Sequence, residues 1–249
     1  MRDIFRSLHL PSSYFHIADG SAGVAHSYTS LDDSERPASF EFVTHCLTKQ
    51  GDFAVALSHQ VATGATSVYW SLDDRISSET LTQDMLSLQQ YAFHPIFVPC
   101  LMLSEILRMA LKRRQSIKER LSRLEAAVAD MSVRRKPSGF DGNDQDSAGY
   151  DHLFELLLGC RKDQDSKEGR YDFWQSYYQA IDNGLRYYDR ILASSRNDIR
   201  REAHTEIRHW AVLTWQRFES LRARDRDHVG RVENVSIMVR KMVRCRGAA

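Results

Sequence analysis

The sequence predicts an α+β fold that is mainly α: a small N-terminal antiparallel sheet with packed helices, a long charged helix, and a C-terminal helical bundle. Three observations carry this prediction. Short aromatic and β-branched segments separated by turn residues occupy positions 40–72, one apolar seam at four-three spacing runs through 103–131, and the stretch 149–246 repeats apolar side chains at helical spacing.

Residues 1–39 read as an irregular or partly ordered lead-in, because they are rich in Ser, Gly, Asp and Pro, with turn formers at Pro11 to Ser13, Asp19 to Gly23 and Asp32 to Pro37. Residues 40–98 read as a small α/β region. Within it Phe40 to Thr48, Phe53 to Ser58 and Ser67 to Leu72, separated by Gly51-Asp52 and Thr63-Gly64, predict an antiparallel meander. A sheet this small needs a helix packed on it. Asp73-Asp74 and Ser77-Ser78-Glu79 resemble a helix start, with Leu81, Met85 and Leu88 recurring up to the His94-Pro95 break.

The strongest signal follows. Leu103, Leu107, Ala110, Arg114, Ile117, Leu121, Leu124, Val128 and Met131 form one seam with a single polar interruption, predicting a long helix over 99–135, from about Pro99 to Ser132. The seam is expected to pack within the chain or against a second copy. Lys136 to Ala148 reads as a polar linker. The helical bundle, 149–246, comprises Tyr150 to Gly159, Tyr171 to Ser194, Asn197 to Arg224, and Asp227 to Val243.

With 34 Lys+Arg against 33 Asp+Glu, the net charge of +1 gives no global attraction to nucleic acid, anionic membrane or acidic substrate. Charge is local instead. Arg108, Lys112, Arg113, Arg114, Lys118, Arg120, Arg123, Arg134, Arg135 and Lys136 make the other faces of the long helix basic. A solvated helix face is the first reading. Because no aromatic residues interleave with these charges to stack bases, no nucleic-acid partner is expected. The segment after it is acidic, with Asp141, Asp144, Asp146, Asp151, Glu155, Asp163, Asp165 and Glu168. An intramolecular contact with the basic helix and simple solubilising charge both remain open; exposed pairs would contribute only ~0 to 1 kcal/mol each.

Cys46, Cys100, Cys160 and Cys245 lie far apart without a CxxC pair, so buried free thiols are expected rather than a zinc site. Met1 to Leu10 carries Arg2, Asp3, Arg6 and His9 and does not resemble a signal peptide, which predicts a reducing, cytoplasmic compartment. The longest nearly uncharged apolar run, Ile96 to Ser104, contains Pro99 and is about half the ~20 residues a spanning helix needs. No membrane span is expected in this chain.

Candidate chemistry is sparse. Gly20-Ser21-Ala22-Gly23 lacks the spacing of a phosphate-binding loop, and the run from Asp141 lacks the Gly and Glu of a calcium loop, Asp146 and His152 standing at those places. His16, His26, His45, His59 and His94 cluster in the first hundred residues, and strand alternation could bring His45 near His59. A third ligand cannot be named, so satisfied or exposed histidines are expected. Neither a GxSxG elbow nor any support for Cys46 with His45 or His59 as a nucleophilic pair is present. Asn234-Val235-Ser236 matches the glycosylation pattern by coincidence in a chain without a secretory signal. No catalytic residue, cofactor or metal ligand is assigned.

Five stretches carry a resemblance: Pro11 to Gly20 (PSSYFHIADG), Phe40-Glu-Phe-Val43, Lys49-Gln-Gly-Asp-Phe53, Trp70-Ser-Leu-Asp-Asp-Arg75, and His94-Pro-Ile-Phe-Val-Pro99 leading into the long helix. Over residues 11 to 131, and more loosely to about 243, the chain resembles fungal proteins distantly related to the CorA magnesium transporters. The resemblance implies a soluble α/β region followed by long helices, which in that family lead to two membrane helices, the first forming the pore. The pore signature Gly-Met-Asn is absent here, and the chain ends at Arg240 to Ala249. A soluble derivative or an incomplete gene product is therefore expected, with no ion path of its own.

The function expected is a non-catalytic helical interaction or regulatory module, similar to the cytosolic part of a CorA-like protein, with a homo-oligomer through the long helices as its partner. The alternative is the magnesium-sensing part of a divalent-cation transporter, acting through the acidic residues of the linker and of Asp163 to Asp172, since hard cations want oxygen ligands. Magnesium enters by the resemblance alone. An enzyme of unfamiliar type would need a deep pocket uniting at least three of the polar groups of the first hundred residues.

Overall fold

A computed structural model of the chain describes residues 1–18, 23–46, 52–74, 76–134, 145–165, 168–193 and 197–247, with side chains described over 1–18, 23–46, 52–74, 76–131, 152–162, 170–193 and 197–241. The predicted Gly20 turn, the calcium-like run from Asp141 and most of the predicted linker lie outside the described residues. Two compact units are present, one of Met1–Met109 and Arg170–Phe218, the other of Ala110–Gly169 and Glu219–Ala249.

The first unit holds helices α1 (Arg2–Ser7) and α2 (Ser13–Ala18) and then four strands, β1 (Val24–Leu31), β2 (Pro37–Cys46), β3 (Phe53–Gln60) and β4 (Ala65–Leu72), paired antiparallel in sequence order. The meander is thus as predicted for β2 to β4, but the lead-in is not irregular. Its β1 escaped prediction because VAHSYTSL is an edge strand with no fully buried position, its exposed sites holding Val24, Tyr28 and Leu31 and its half-buried ones Ser27 and Thr29, so apolar alternation is lost; its two helices are six residues each, too short to display a period.

Register decides what each face carries. Pairing of Phe40 with His59, Phe42 with Leu57 and Thr44 with Val55 places these side chains on one face. There Phe40 stacks on Tyr187 with ring centroids 5.2 Å apart, and Phe42 meets Tyr177 edge-on at 5.3 Å, both tyrosines lying on α6 (Glu168–Ala193). The opposite face presents Val43, Ala54 and Ala56 to Phe5, Leu10 and Tyr14 of the N-terminal segment. Strand β3 is therefore covered on both faces, which is why Phe53 to Leu57 reads as a continuous apolar run without alternation.

Helix α3 (Ser78–Ser87) starts where the sequence places it, Ser77 accepting from the Thr80 amide at 3.2 Å as N-cap. Helix α4 (Phe97–Arg134) matches the predicted long helix within a turn at each end. Its start belongs to the first unit, where Tyr177 donates to the Pro99 carbonyl at 3.1 Å and Trp210 of α7 (Asp198–Gly247) donates to Ser104 Oγ at 2.8 Å.

In the second unit the seam of α4 is closed by the same chain. Leu121, Leu124 and Val128 pack with Leu153, Leu157 and Cys160 of α5 (Gln145–Asp165) and with Val232, Val235 and Val239 of α7. The polar interruption Arg114 faces Asp225 at 3.7 Å, and Arg231 binds Glu125 through two bonds of 3.0 and 2.6 Å. Helix α5 begins at Gln145 and so absorbs the end of the predicted linker. The two predicted segments Asn197 to Arg224 and Asp227 to Val243 are one uninterrupted helix, since the charged run Arg224 to Asp227 contains no residue that breaks a helix. Gly230, three residues on, stands with open space where a side chain would be.

Candidate functional site

Where the chain turns from the 3-10 turn Gln89–Tyr91 toward α4, Pro95 has no amide hydrogen, so the first backbone donor after His94 is Ile96. The Ile96 amide donates to His94 Nδ1 at 3.1 Å. That bond sets the tautomer. With Nδ1 accepting, the neutral ring carries its hydrogen on Nε2, and this atom lies 2.9 Å from Nδ1 of His204. His204 then carries its own hydrogen on Nε2, which donates to Asp189 Oδ1 at 2.9 Å. Arg208 donates to the other carboxylate oxygen of Asp189. Arg208 also comes within 3.2 Å of His204 Nε2, but that nitrogen already bears a hydrogen, so the approach is a near contact and the carboxylate is the partner.

Three elements therefore meet in one chain of hydrogen bonds: the lead-in to α4 with His94, the end of α6 with Asp189, and the start of α7 with His204 and Arg208 four residues later on the same face. Helix α7 is started by Asn197, whose side chain accepts from the Arg200 amide at 3.0 Å. Tyr188 of α6 covers the pair, its ring centroid 4.2 Å from that of His94 and 5.5 Å from that of His204. His59 of β3 lies beyond, edge-on to Tyr187 and Tyr188, its Nδ1 2.9 Å from Thr66 Oγ1.

Burial holds all three imidazoles toward the neutral form. His94 sits well below the ordinary histidine range because it is desolvated, with His204, His59 and Arg208 adding to the effect. His59 is pushed down to about 4 by burial and by Arg200. His204 is lowered by burial although Asp189 pulls the other way. Burial alone would raise Asp189, yet the hydrogen bonds from Arg208 and His204 leave its carboxyl below the usual range.

Chemically the arrangement is closed. Both nitrogens of His94 are committed, so it has no lone pair to offer a metal or a substrate proton, and the relay ends on an amide hydrogen rather than on a nucleophile. Among the described residues no group of three or more His, Cys, Asp or Glu is arranged to hold a metal ion.

The sequence-derived candidates are scattered. His45 and His59 are not neighbours, a correction to the expectation from strand alternation: His45 pairs with Ala54 and His59 with Phe40, which puts them on opposite faces of the sheet. His45 instead lies 3.1 Å from the carbonyl of Ile17 through Nδ1, and His16 and His26 are exposed. Cys46, Cys100 and Cys160 are buried thiols outside any disulfide among the described residues. Ser236 of the glycosylation match is buried within α7 and accepts from Arg161 at 2.8 Å. Of the acidic candidates for magnesium, Asp141 and Asp144 and the side chains of Asp146, Asp151, Asp163, Asp165 and Glu168 lie outside the described residues, while Glu155 and Asp172 are exposed. On the basic helix Arg108 is paired with Glu105 at 2.6 Å and Arg114 with Asp225, so part of that charge is neutralised.

The class defined by fold and site is a mainly α, α+β protein with a helix-covered meander and a buried histidine relay. No protein family matches the chain, and no curated protein or solved structure matches it either.

Proposed function

We propose that this chain is a non-catalytic helical interaction or regulatory module, of the kind implied by its resemblance to the cytosolic region of CorA-like proteins, acting in the cytoplasm and binding protein rather than nucleic acid. The observation that carries the reading is on the second unit. Its own core is closed, yet Phe154 and Leu158, one turn apart on α5, and the adjacent Ile237 and Met238 on α7 are exposed. Large apolar side chains left exposed on two helices outside a packed core favour a protein partner. A second copy of the chain is the partner proposed. The inward-turned histidines support the non-catalytic part of the reading, since their hydrogen-bonding capacity is spent on each other.

Light scattering of the purified chain at several concentrations, with and without millimolar magnesium, tests it. A mass above 28.7 kDa that rises with concentration is expected, and the double variant Leu158→Glu, Ile237→Glu should return it to the monomer. A monomer at every concentration defeats self-association. A mass that depends on magnesium would instead favour the sensing alternative. No helix among the described residues is long and apolar enough to cross a membrane.

A further inference from the structure

We propose that the His94–His204–Asp189 relay is an acid-operated latch: one proton taken up by the imidazole pair releases the first turns of α7 from the segment that leads into α4. The inference does not depend on the interaction reading above. It rests on counting hydrogens.

In the neutral relay every hydrogen position is fixed from one end to the other. Ile96 donates to His94, His94 to His204, and His204 to Asp189, which is also held by Arg208. A proton added to His204 Nδ1 would point at the hydrogen already on His94 Nε2. His94 could make room only by moving its hydrogen to Nδ1, where it would then oppose the Ile96 amide. The first course breaks the bond that ties α7 to the lead-in; the second breaks the Ile96 bond that shapes the lead-in itself and so loosens that segment against α7. A buried donor facing another donor is destabilising, so the element that can move away does so.

Among the groups that face the pair, one carboxylate is there to meet the added charge. The groups facing the pair are His59 on β3, Tyr188 and Asp189 on α6 and Arg208 on α7, with Arg200 of α7 acting on His59 and Tyr188; Asp189 is the one carboxylate among these, already bonded to Arg208. Burial of both rings and their lowered proton affinity keep the latch shut at neutral pH. Movement should stop at Trp210, whose bond to Ser104 Oγ involves no group that titrates near neutrality. Half-buried Tyr91 also donates to Glu206 across the segment.

Hydrogen–deuterium exchange on the full chain tests the latch. Rates at pH 7.5 and pH 5.5 are corrected for intrinsic chemistry. Exchange coupled to one proton rises by up to about tenfold per pH unit. The expected result is a rise of roughly tenfold or more in 89–97 and 198–208 that clearly exceeds any rise in β3 and in the 121–128 stretch of α4, where acid acts only through global stability. His94→Gln keeps an N–H for His204 and an oxygen for Ile96 but cannot take a proton, and should flatten the response. No local rise, a rise spread evenly along the chain, or an unaltered response in His94→Gln would each overturn the proposal. Should that variant not fold, imidazole resonances of the wild-type chain decide: titration of His94 and His204 over this range with no change in the amides of 198–208 also overturns it.

Discussion

Gly184 of α6 passes so close to Ile96 that a methyl group on its Cα would lie 2.1 Å from Ile96 Cδ1 and 2.7 Å from Phe40 Cζ. Ile96 and Phe40 are both fully buried, so neither has space into which to retreat. Alanine in place of this glycine would gain up to about 1 kcal/mol of helix propensity. Overpacking costs typically ~1–3 kcal/mol, and more where the contact is this short. Gly184→Ala is therefore expected to lower the urea midpoint, with a net loss of about 1–2 kcal/mol; a midpoint that stays or rises would contradict the close approach of α6 to the sheet.

Stability should fall on mild acidification. His59, His94 and His204 all bind protons more weakly in the folded chain than the ordinary value near 6.5. Below that value the unfolded chain takes up more protons than the folded one, so the stability present above about pH 7 is lost as pH falls through 6.5 toward 4. His59, pushed down to about 4, accounts for something on the order of 3 kcal/mol by itself. Urea midpoints measured from pH 7.5 to 5 should decline steadily, and His59→Gln should make the decline shallower. A flat profile would mean that the imidazoles are not desolvated.

How far the sequence announced this arrangement differs between elements for physical reasons. Helix α4 was legible because Leu121, Leu124 and Val128 share one seam, and β2 to β4 because their aromatic and β-branched runs end at turn residues. Strand β1 was not, since in this edge strand Val24, Tyr28 and Leu31 are exposed while Ser27 and Thr29 are half-buried, so the apolar pattern does not mark a buried face. The relay was half legible. His94 stood out beside Pro95 as the place where a helix stops, but its partner lies 110 positions later inside an ordinary-looking helix. Only the spacing of His204 and Arg208, four residues apart on one face, could have hinted that a common acceptor such as Asp189 lay nearby.

Thiol reactivity offers an independent check on the first unit's core. Cys46 is pushed up to about 12, chiefly by burial and further by Asp52, and burial pushes Cys100 up as well. Because the thiolate is the nucleophile, neither should react with an aromatic disulfide reagent at pH 8 while the chain is folded. Peptide mass spectrometry should find both unlabelled before denaturant is added and fully labelled afterwards. Rapid labelling of Cys100 in the native chain would place it outside the core.

Two changes four residues apart on α4 should separate apolar packing from ion pairing in the second unit. Leu121 is fully buried among residues of α5 and α7, and truncation to alanine leaves a cavity in a closed cluster, which costs about 2–5 kcal/mol. Glu125 binds Arg231 through two hydrogen bonds, but both side chains keep over a third of their surface in water, at 35% and 42% exposure. Solvent screening holds such a pair to about 1 kcal/mol or less. Leu121→Ala should therefore shift the urea midpoint several times further than Glu125→Gln. If the two shifts were equal, or the charge variant were the more damaging, the unit would depend on its polar contacts rather than on the seam, and the closed packing of Leu121, Leu157 and Val235 would not be what holds α4, α5 and α7 together.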